Sequence, residues 1–234
     1  MAVTDEAILT IKGMILSGEL QPGDRLPPEK ELSERLGLSR SSMREAVKAL
    51  EVLRVLDVRR GDGTYVTSLE PELLLEAMSF VVDARRDDES MLELFAVRRI
   101  LEPAAAALAT PHLDETAIAA LRASIEEAGA DPDVERLVAH DLAFHADIVR
   151  AAGNGYLSTL LESLSGRTAR ARLWRGLTDE NAVERTLREH SALVDAIEAD
   201  DAVLVEALAV AHIAGVETWL RRWSGEAGST TPPR

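Results

Sequence analysis

Residues 38–53 (LSRSSMREAVKALEVL) constrain the fold most strongly, because a helix of 3.6 residues per turn separates their apolar and basic side chains onto two sides. The apolar side consists of Met43, Ala46, Val47, Leu50 and Leu53. The basic side consists of Arg40, Arg44 and Lys48, at i, i+4 and i+8. This segment predicts a helix that buries one side in a small domain. Its other side would meet phosphates and base edges, or would simply be a solvated surface.

The flanking residues predict a helix-turn-helix. Residues 29–36 (EKELSERL) have the pattern of a short amphipathic helix, and Gly37 follows where a tight turn needs a positive φ. Ser39 then stands at the N-cap position of the second helix. A helix, a glycine turn and a basic second helix form the arrangement whose second helix enters the DNA major groove. The flanks therefore favour DNA recognition over a solvated surface.

A hairpin is predicted directly after the basic helix. The strand-like runs Val55–Arg59 and Thr64–Thr67 are separated by a segment that contains Asp-Gly, a hairpin signal. Arg59 and Arg60 at the tip could reach the DNA backbone or minor groove beside the recognition helix. Upstream, Ala7–Leu16 predicts a first helix that covers the other two. Residues 1–68 are thus expected to form a winged helix-turn-helix domain.

The net charge of −15 argues against a DNA partner only until it is divided by region. Residues 1–68 carry 10 basic and 11 acidic residues, so the remainder holds 16 basic and 30 acidic ones. The acidic second part would disfavour indiscriminate binding to nucleic acid, while clustered arginines in the first part still bind phosphates. The chain has no cysteine, which excludes disulfides and thiolate metal sites. The absence of a signal pattern and of an 18-residue apolar run predicts a cytoplasmic protein without a membrane segment.

Two runs of the first part carry a family resemblance, namely SGELQPGDRLPPEKELSERLGLSRSSMREAVKALE and RRGDGTYV. Over residues 6–67 the chain resembles the N-terminal winged helix of the GntR family of bacterial transcription regulators. The resemblance implies contacts to double-stranded operator DNA from basic, hydroxyl and glycine positions. These candidate DNA-binding residues are Arg25, Lys30, Ser39, Arg40, Ser41, Ser42, Arg44, Lys48, Arg60 and Gly61. Arg44 is the best single candidate for reading bases, and Lys48 is expected to touch only the backbone or solvent.

The second part, residues 69–224, is predicted to be an all-α bundle of about seven helices, and residues 225–234 a disordered tail. The predicted segments are Glu72–Ala84, Ser90–Ala109, Asp114–Ala128, Pro132–Ala152, Tyr156–Leu177, Glu180–Ala199 and Ala202–Trp223. Breaks between them fall at glycine, proline or paired aspartates. The whole chain is therefore expected to be mainly α, with one small hairpin.

Four polar residues of this part share faces with apolar residues. Asp141 and His145 are four apart on one predicted helix, and His190 and His212 lie on the apolar stripes of two others. Each histidine alone is expected to be a hydrogen-bonded core residue, because an unsatisfied polar group in a core is costly. Together, one carboxylate and three imidazoles favour a shared divalent transition metal. His140 is expected to point away from the other four residues and His112 to lie in a loop, so both are expected to be non-ligands.

Further runs of the second part carry another resemblance: VRRILEPAAAALAT, HDLAFHADIVRAAGNGYL, REHSALVDAIEADDA and AHI. Over residues 73–223 they resemble the helical ligand-binding domain called FCD, found in the FadR subfamily of GntR regulators. The resemblance implies one metal ion per chain, zinc or nickel, that helps to hold a small carboxylate effector. Its metal ligands correspond to Asp141, His145, His190 and His212.

Arg98 is the candidate effector-binding residue. It shares a predicted helix face with Leu94 and Leu101, whereas Arg99 lies beside Glu102 on another face. The resembling domain has an arginine at the position of Arg98 that reaches the effector. A buried guanidinium would bind a carboxylate through two parallel hydrogen bonds. The alternative is an internal salt bridge, with Asp141 or Asp147. The run RTARARLWR, which begins at Arg167, either lines the same pocket or forms a solvated basic face.

Joined together, the two parts predict an effector-responsive transcription regulator that binds a palindromic operator as a homodimer. A small acid would shift the helical domain between arrangements and so change operator affinity. Three alternatives stay open at this point. They are a metal-dependent enzyme with an accessory DNA-binding head, a regulator whose metal is purely structural, and an acyl-CoA-sensing regulator. The enzyme is disfavoured because no carboxylate at an evident spacing could act as a general base beside the metal.

Overall fold

The computed structural model describes residues 3–70, 88–129, 132–179 and 181–227. The chain divides into two compact units, Met1–Met78 and Ser79–Arg234. Each unit has its own apolar core.

The N-terminal unit is a three-helix domain with a two-stranded hairpin. Its elements are α1 (Val3–Leu16), α2 (Glu29–Leu36), α3 (Arg40–Val52), β1 (Leu56–Arg59) and β2 (Gly63–Val66). The strands pair antiparallel, with Leu56 opposite Val66 and Arg59 opposite Gly63. The winged helix-turn-helix prediction is confirmed, and the hairpin lies where the sequence placed it.

Local sequence explains the helix-turn-helix geometry. Gly37 ends α2 in the left-handed region with φ +67°, where a side chain would be strained. The Ser39 hydroxyl caps α3 by accepting a hydrogen bond from the Ser42 amide at 3.1 Å. The buried side of α3 consists of Met43, Ala46, Val47 and Leu50. Leu53, predicted to join them, is 58% exposed because α3 ends at Val52 and the chain turns away.

The segment before α2 pairs with strand β2 of the hairpin through backbone hydrogen bonds. The amide of Gly23 donates to the Val66 carbonyl at 2.9 Å, and the Val66 amide donates to Asp24 at 2.9 Å. The Leu26 amide donates to the Thr64 carbonyl at 2.8 Å. The turn at Pro22 and Gly23 therefore leads directly into the β1–β2 hairpin, which is the wing of the domain.

All the regular secondary structure in the described residues of the C-terminal unit is helical. Its helices are α4 (Asp88–Ala109), α5 (Glu115–Ala128), α6 (Val134–Ala151), α7 (Gly155–Thr178), α8 (Ala182–Glu198) and α9 (Ala202–Ala227). A 3₁₀ turn, Thr110–His112, follows α4 at the proline that was predicted to break it. These helices correspond to six of the seven predicted segments. The other segment, Glu72–Ala84, lies outside the described residues.

Helix ends in this unit follow the expected chemistry. Asp114 and Asn154 cap α5 and α7 by accepting hydrogen bonds from the amides of Ala117 at 2.8 Å and Leu157 at 3.1 Å. The predicted end of the last helix at Trp223 is wrong, because α9 continues to Ala227. Of the predicted tail, residues 228–234 lie outside the described residues.

Helix α9 is apolar enough over residues 202–224 to satisfy the length and composition test for a membrane span. A core helix of a soluble protein passes the same test, so this result is weak evidence for a membrane. Helix α9 packs along α4, and its inner side includes the buried polar residues His212 and Glu217. These features are those of a core helix.

We predict that Met43→Ala destabilises the N-terminal unit by about 2–5 kcal/mol, because Met43 is fully buried and the substitution leaves a cavity. The measurement is urea unfolding followed by circular dichroism. Val52→Ala, at the 79% exposed end of the same helix, serves as the control and should change stability by less than about 0.5 kcal/mol. Equal effects of the two substitutions would contradict the assigned faces of α3.

Candidate metal centre and nucleic-acid interface

The exposed side of α3 carries the basic residues that the sequence placed there. Arg40, Arg44 and Lys48 are all exposed. Arg44 lies 3.7 Å from Glu29, and Lys30 on α2 lies 3.9 Å from Glu34. Exposed ion pairs of this length contribute little to stability, so phosphates can readily replace these carboxylates.

A group of serines occupies the N-terminal end of α3. The Ser39 hydroxyl lies 2.8 Å from that of Ser41 and 2.9 Å from that of Ser42. Helix N-termini carry partial positive charge and favour anions such as phosphate. The three hydroxyls therefore stand beside the most anion-favouring part of the helix.

The two candidate DNA-binding residues of the wing, Arg60 and Gly61, lie at the hairpin turn. Gly61 has φ +78°, which the turn requires, and Arg60 beside it is exposed. Arg59 instead packs on the hairpin, 4.3 Å above the Tyr65 ring and 2.9 Å from Asp57. Arg25, predicted as a DNA contact, donates a hydrogen bond to the carbonyl of Asp62 in this turn.

In the C-terminal unit, α6, α8 and α9 bring four predicted ligands together. Asp141, His145, His190 and His212 are all buried, and one ligand atom from each lies within 4.8 Å of all the others. The Asp141 Oδ1 atom lies 3.6, 3.3 and 3.4 Å from the Nε2 atoms of His145, His190 and His212. Ligands that sit about 2.0–2.2 Å from one tetrahedral ion are themselves about 3.3–3.6 Å apart.

The other ring nitrogen of each histidine has its own partner. Nδ1 of His145 lies 3.0 Å from Glu102, and Nδ1 of His212 lies 2.8 Å from Glu189. Nδ1 of His190 lies 3.0 Å from Nε2 of His140. Metal-binding histidines are commonly oriented in this way, which fixes the tautomer and leaves Nε2 for the ion.

Two of the inward nitrogens are unsatisfied. Nε2 of His145 and Nε2 of His190 are buried and have no hydrogen-bond partner among the residues that the structure describes. Buried polar atoms without partners are costly, so a group bound between them would recover free energy. Imidazole nitrogen with carboxylate oxygen is a donor set suited to zinc, nickel and similar divalent ions. The residues present therefore fit a divalent transition metal.

The outer partners correct three sequence inferences. His140 was expected to point away from the cluster, but it contacts His190. Glu102 was assigned to the face of Arg99; it is 2% exposed and lies beside His145, while Arg99 pairs with Glu217 at 2.9 Å. No carboxylate was expected at an evident spacing from the ligands, but Glu102 and Glu189 each contact one of the histidines. The i, i+4 spacing of Arg98 and Glu102 was the available signal for a shared inward face.

Arg98 is buried as predicted, but its guanidinium is already paired. Its Nε donates to Glu102 at 2.9 Å, its Nη2 lies 2.8 Å from the same carboxylate, and its Nη1 donates to Thr168 at 2.9 Å. The structure thus holds the internal salt bridge that was the alternative. The partner is Glu102 instead of Asp141 or Asp147, and Asp147 lies on the surface with Arg150.

Arg172 belongs to the RTARARLWR run, whose residues were expected either to line the pocket or to form a solvated face. It is buried and donates to Asp141 Oδ2 and, at 3.2 Å, to the Thr168 hydroxyl. Arg170, two residues earlier, is exposed as expected for a solvated residue. The RTARARLWR run is therefore neither wholly a pocket lining nor wholly a surface.

Charges in the cluster shift several pKa values. Burial would raise the pKa of Asp141, but Arg172 and the three histidines hold it well below its usual range. Burial would lower the pKa of His145, yet Glu102 and Asp141 raise it to about 9. For His190, burial prevails over Asp141 and lowers the pKa to about 3. An ionised Asp141 beside a neutral His190 is a state that binds a cation, whereas His145 with its raised pKa must release its proton before Nε2 can bind one.

A small cavity adjoins the cluster. It has a volume of about 20 Å³, and its walls include Asp141, His212, Arg172 and Arg175. This is room for about one water molecule. Arg175 is 3% exposed, and its Nε and Nη2 have no hydrogen-bond partner within the described part of the chain. A carboxylate oxygen of Asp179 lies 3.8 Å from Nε, beyond hydrogen-bonding distance.

Comparison with known proteins agrees with this architecture. The sequence matches the gntR family of bacterial regulatory proteins over residues 4–66 and the FCD domain over residues 93–215. The chain belongs to the GntR family. It is 30% identical over 210 residues to the HTH-type transcriptional regulator LutR of Bacillus subtilis, covering 87% of this chain and 94% of that protein.

Two further comparisons point the same way. The galactonate operon transcriptional repressor of Escherichia coli is 29% identical over 216 residues, which cover 90% of this chain and 93% of that protein. The solved structure of Streptococcus agalactiae GntR matches with a TM-score of 0.67 and 26% identity, covering 92% of this chain and 99% of that one. This GntR-family chain is thus a DNA-binding transcription regulator and not an enzyme.

We predict that Glu102→Gln weakens metal binding by about 10- to 100-fold, the usual effect of losing an outer partner of a ligating histidine. Glutamine keeps the shape of Glu102 but removes the charge that faces His145. The measurement is competition for zinc against a chromophoric chelator. Glu206→Gln, on the exposed side of α9, is the matched control. Unchanged zinc affinity in the Glu102 variant would show that this contact does not support the site.

Proposed function

We propose that this chain is a cytoplasmic, homodimeric regulator of the FadR subfamily that binds a palindromic operator and responds to a small carboxylic acid. The observation that carries the effector assignment is the buried cluster with two unpaired Nε2 atoms beside a cavity lined by an incompletely paired arginine. The exposed basic side of α3, the serines at its N-terminus and Arg60 of the wing would contact the operator.

Asp141, His145, His190 and His212 would hold one zinc or nickel ion per chain. When bound, the ion supplies positive charge and a coordination position for a carboxylate oxygen of the effector. Each imidazole is held in place by a partner at its Nδ1 atom. These partners are Glu102 for His145, Glu189 for His212 and His140 for His190. Arg172 holds the second oxygen of Asp141 and so keeps that carboxylate directed at the histidines.

Arg175 is a better candidate than Arg98 for the residue that binds the carboxylate of the effector. Arg98, the sequence-based candidate, would have to give up Glu102 and Thr168 before binding another carboxylate. Arg175 has two unpaired donors and lines the same cavity as Asp141 and His212. A carboxylate bound there would satisfy donors that are otherwise buried without partners, a gain that Arg98 does not offer.

The chemical class of the effector follows from the site and from one relative. The E. coli protein is named for the galactonate operon, and galactonate is a polyhydroxy acid. The cavity also carries Thr186, whose hydroxyl can pair with a hydroxyl group of such a ligand. We propose that the effector is a hydroxy acid or sugar acid.

Effector binding requires movement, because the cavity has room for only about one water molecule. Its walls come from α6, α7, α8 and α9, so an acid can enter only when these helices or their lining side chains rearrange. A ligand that binds the opened arrangement more tightly shifts the population toward it. In a dimer, such a shift changes the half-site spacing that the two DNA-binding units can span.

The alternative in which the metal is purely structural makes a different prediction. In that case chelation would lower the melting temperature without altering the effector affinity of the protein that remains folded. In our proposal, chelation lowers both.

The proposal is tested by elemental analysis and by a thermal-shift screen of small hydroxy acids, galactonate included. Wild-type protein should contain about one metal per chain and gain stability with the effector. The His145→Ala, His190→Ala double variant should lose both properties. Absence of metal from wild-type protein, both freshly purified and metal-reconstituted, would refute the metal site.

We predict that Arg175→Ala retains the metal but weakens effector binding by about 10- to 100-fold, the effect of losing a charged hydrogen-bond pair. Arg170→Ala, an exposed position on the same helix, is the control. Binding can be followed by intrinsic fluorescence, because all three tryptophans lie together, with Trp174 next in sequence to Arg175. Undiminished effector binding by the Arg175 variant would contradict the assignment of Arg175 as the residue that binds the effector carboxylate.

A further inference from the structure

The wing contains two glycines that are required for different reasons. Gly61 has φ +78°, so its backbone conformation excludes most side chains. Gly63 lies in β2 without a positive φ, so its backbone would accept alanine. However, a Cβ atom at Gly63 would lie 2.5 Å from Nε of Arg25 and 3.1 Å from its Cζ. Gly63 thus leaves the space through which the Arg25 side chain passes.

Arg25 is joined to the wing by both its backbone and its side chain. It forms an isolated antiparallel bridge with Tyr65. Its guanidinium crosses Gly63, and Nη2 donates to the carbonyl of Asp62 in the hairpin turn. The Tyr65 hydroxyl donates to the Asp62 carboxylate at 3.0 Å. Asp62 is therefore held on its main chain by Arg25 and on its side chain by Tyr65.

We infer that Arg25 is a positioning residue for the wing, and that its contribution to operator binding comes from this role instead of a contact of its own with DNA. Its guanidinium is directed at a backbone carbonyl of the wing tip, beside Arg60 and Gly61. A tip ordered before binding costs less conformational entropy when it meets DNA.

The first test needs no DNA. Backbone amide hydrogen exchange is measured on the full-length chain, and we expect faster exchange in residues 60–63 for both Arg25→Ala and Gly63→Ala. Gly63→Ala removes no charge and no donor; it only displaces the guanidinium. Arg60→Ala, at the same tip, is the control and should leave exchange of the neighbouring amides unchanged. Wild-type exchange in both the Arg25 and Gly63 variants would overturn the inference.

The second test measures affinity for a DNA duplex selected from a random-sequence library by the wild-type protein. Arg25→Ala and Gly63→Ala should each weaken binding by about two- to tenfold, the range for one hydrogen bond. The double variant should bind no more weakly than the weaker single variant, because both substitutions remove the same contact. Arg25→Ala combined with Arg60→Ala should instead show additive losses.

The salt dependence of binding separates positioning from a phosphate contact. Gly63→Ala should weaken binding while keeping the slope of log affinity against log salt within the error of the wild-type slope, because it removes no charge. If Arg25 touches DNA itself, Arg25→Ala will cost as much in the Gly63→Ala background as in the wild type. That result would overturn the inference. Melting temperatures of all variants should match the wild type, which confirms that the domain remains folded.

Discussion

The buried carboxylate of Asp141 is the constraint on which the C-terminal unit depends. An ionised carboxylate inside a helical bundle is costly unless it is paired and hydrogen-bonded. Here Arg172 meets one oxygen, and three imidazoles surround the other. These groups come from α6, α7, α8 and α9, so four helices must converge at one point. Since each imidazole also needs a partner at Nδ1, the requirement extends outward to Glu102 on α4 and to other residues of the bundle.

Much of this could be predicted from residue spacing. Helical periodicity assigns Asp141 and His145 to one inward face, and the same reasoning places His190 and His212, because side-chain direction in a helix follows from position alone. The same rule identified the buried side of α3. Cap and turn residues such as Gly37 act within one turn of chain, so their effects can also be derived without tertiary information.

What could not be predicted is which inward side chains meet. Glu102 and His145 lie on different helices, and their contact depends on how α4 packs against α6, which periodicity does not specify. Arg172 was undecided for the same reason, since its run carries charge on several faces of α7. The error at Leu53 has another cause: the apolar stripe continues in the sequence after the helix itself has ended. Residue spacing predicts the helix face on which a side chain lies, whereas the packing of the helices determines which side chains it contacts.

Arg98 and Arg175 show why this distinction matters for function. Both are buried arginines on helices that surround the cluster, and an inward face alone does not separate them. Their hydrogen-bond partners do separate them. Glu102 and Thr168 accept hydrogen bonds from the Arg98 guanidinium, whereas Nε and Nη2 of Arg175 have no hydrogen-bond partner among the described residues. Folding alone would select against such unpaired donors, since each costs free energy that a partner would recover. A ligand that supplies the missing acceptors would recover this energy only when bound, and this is the property that an effector site requires.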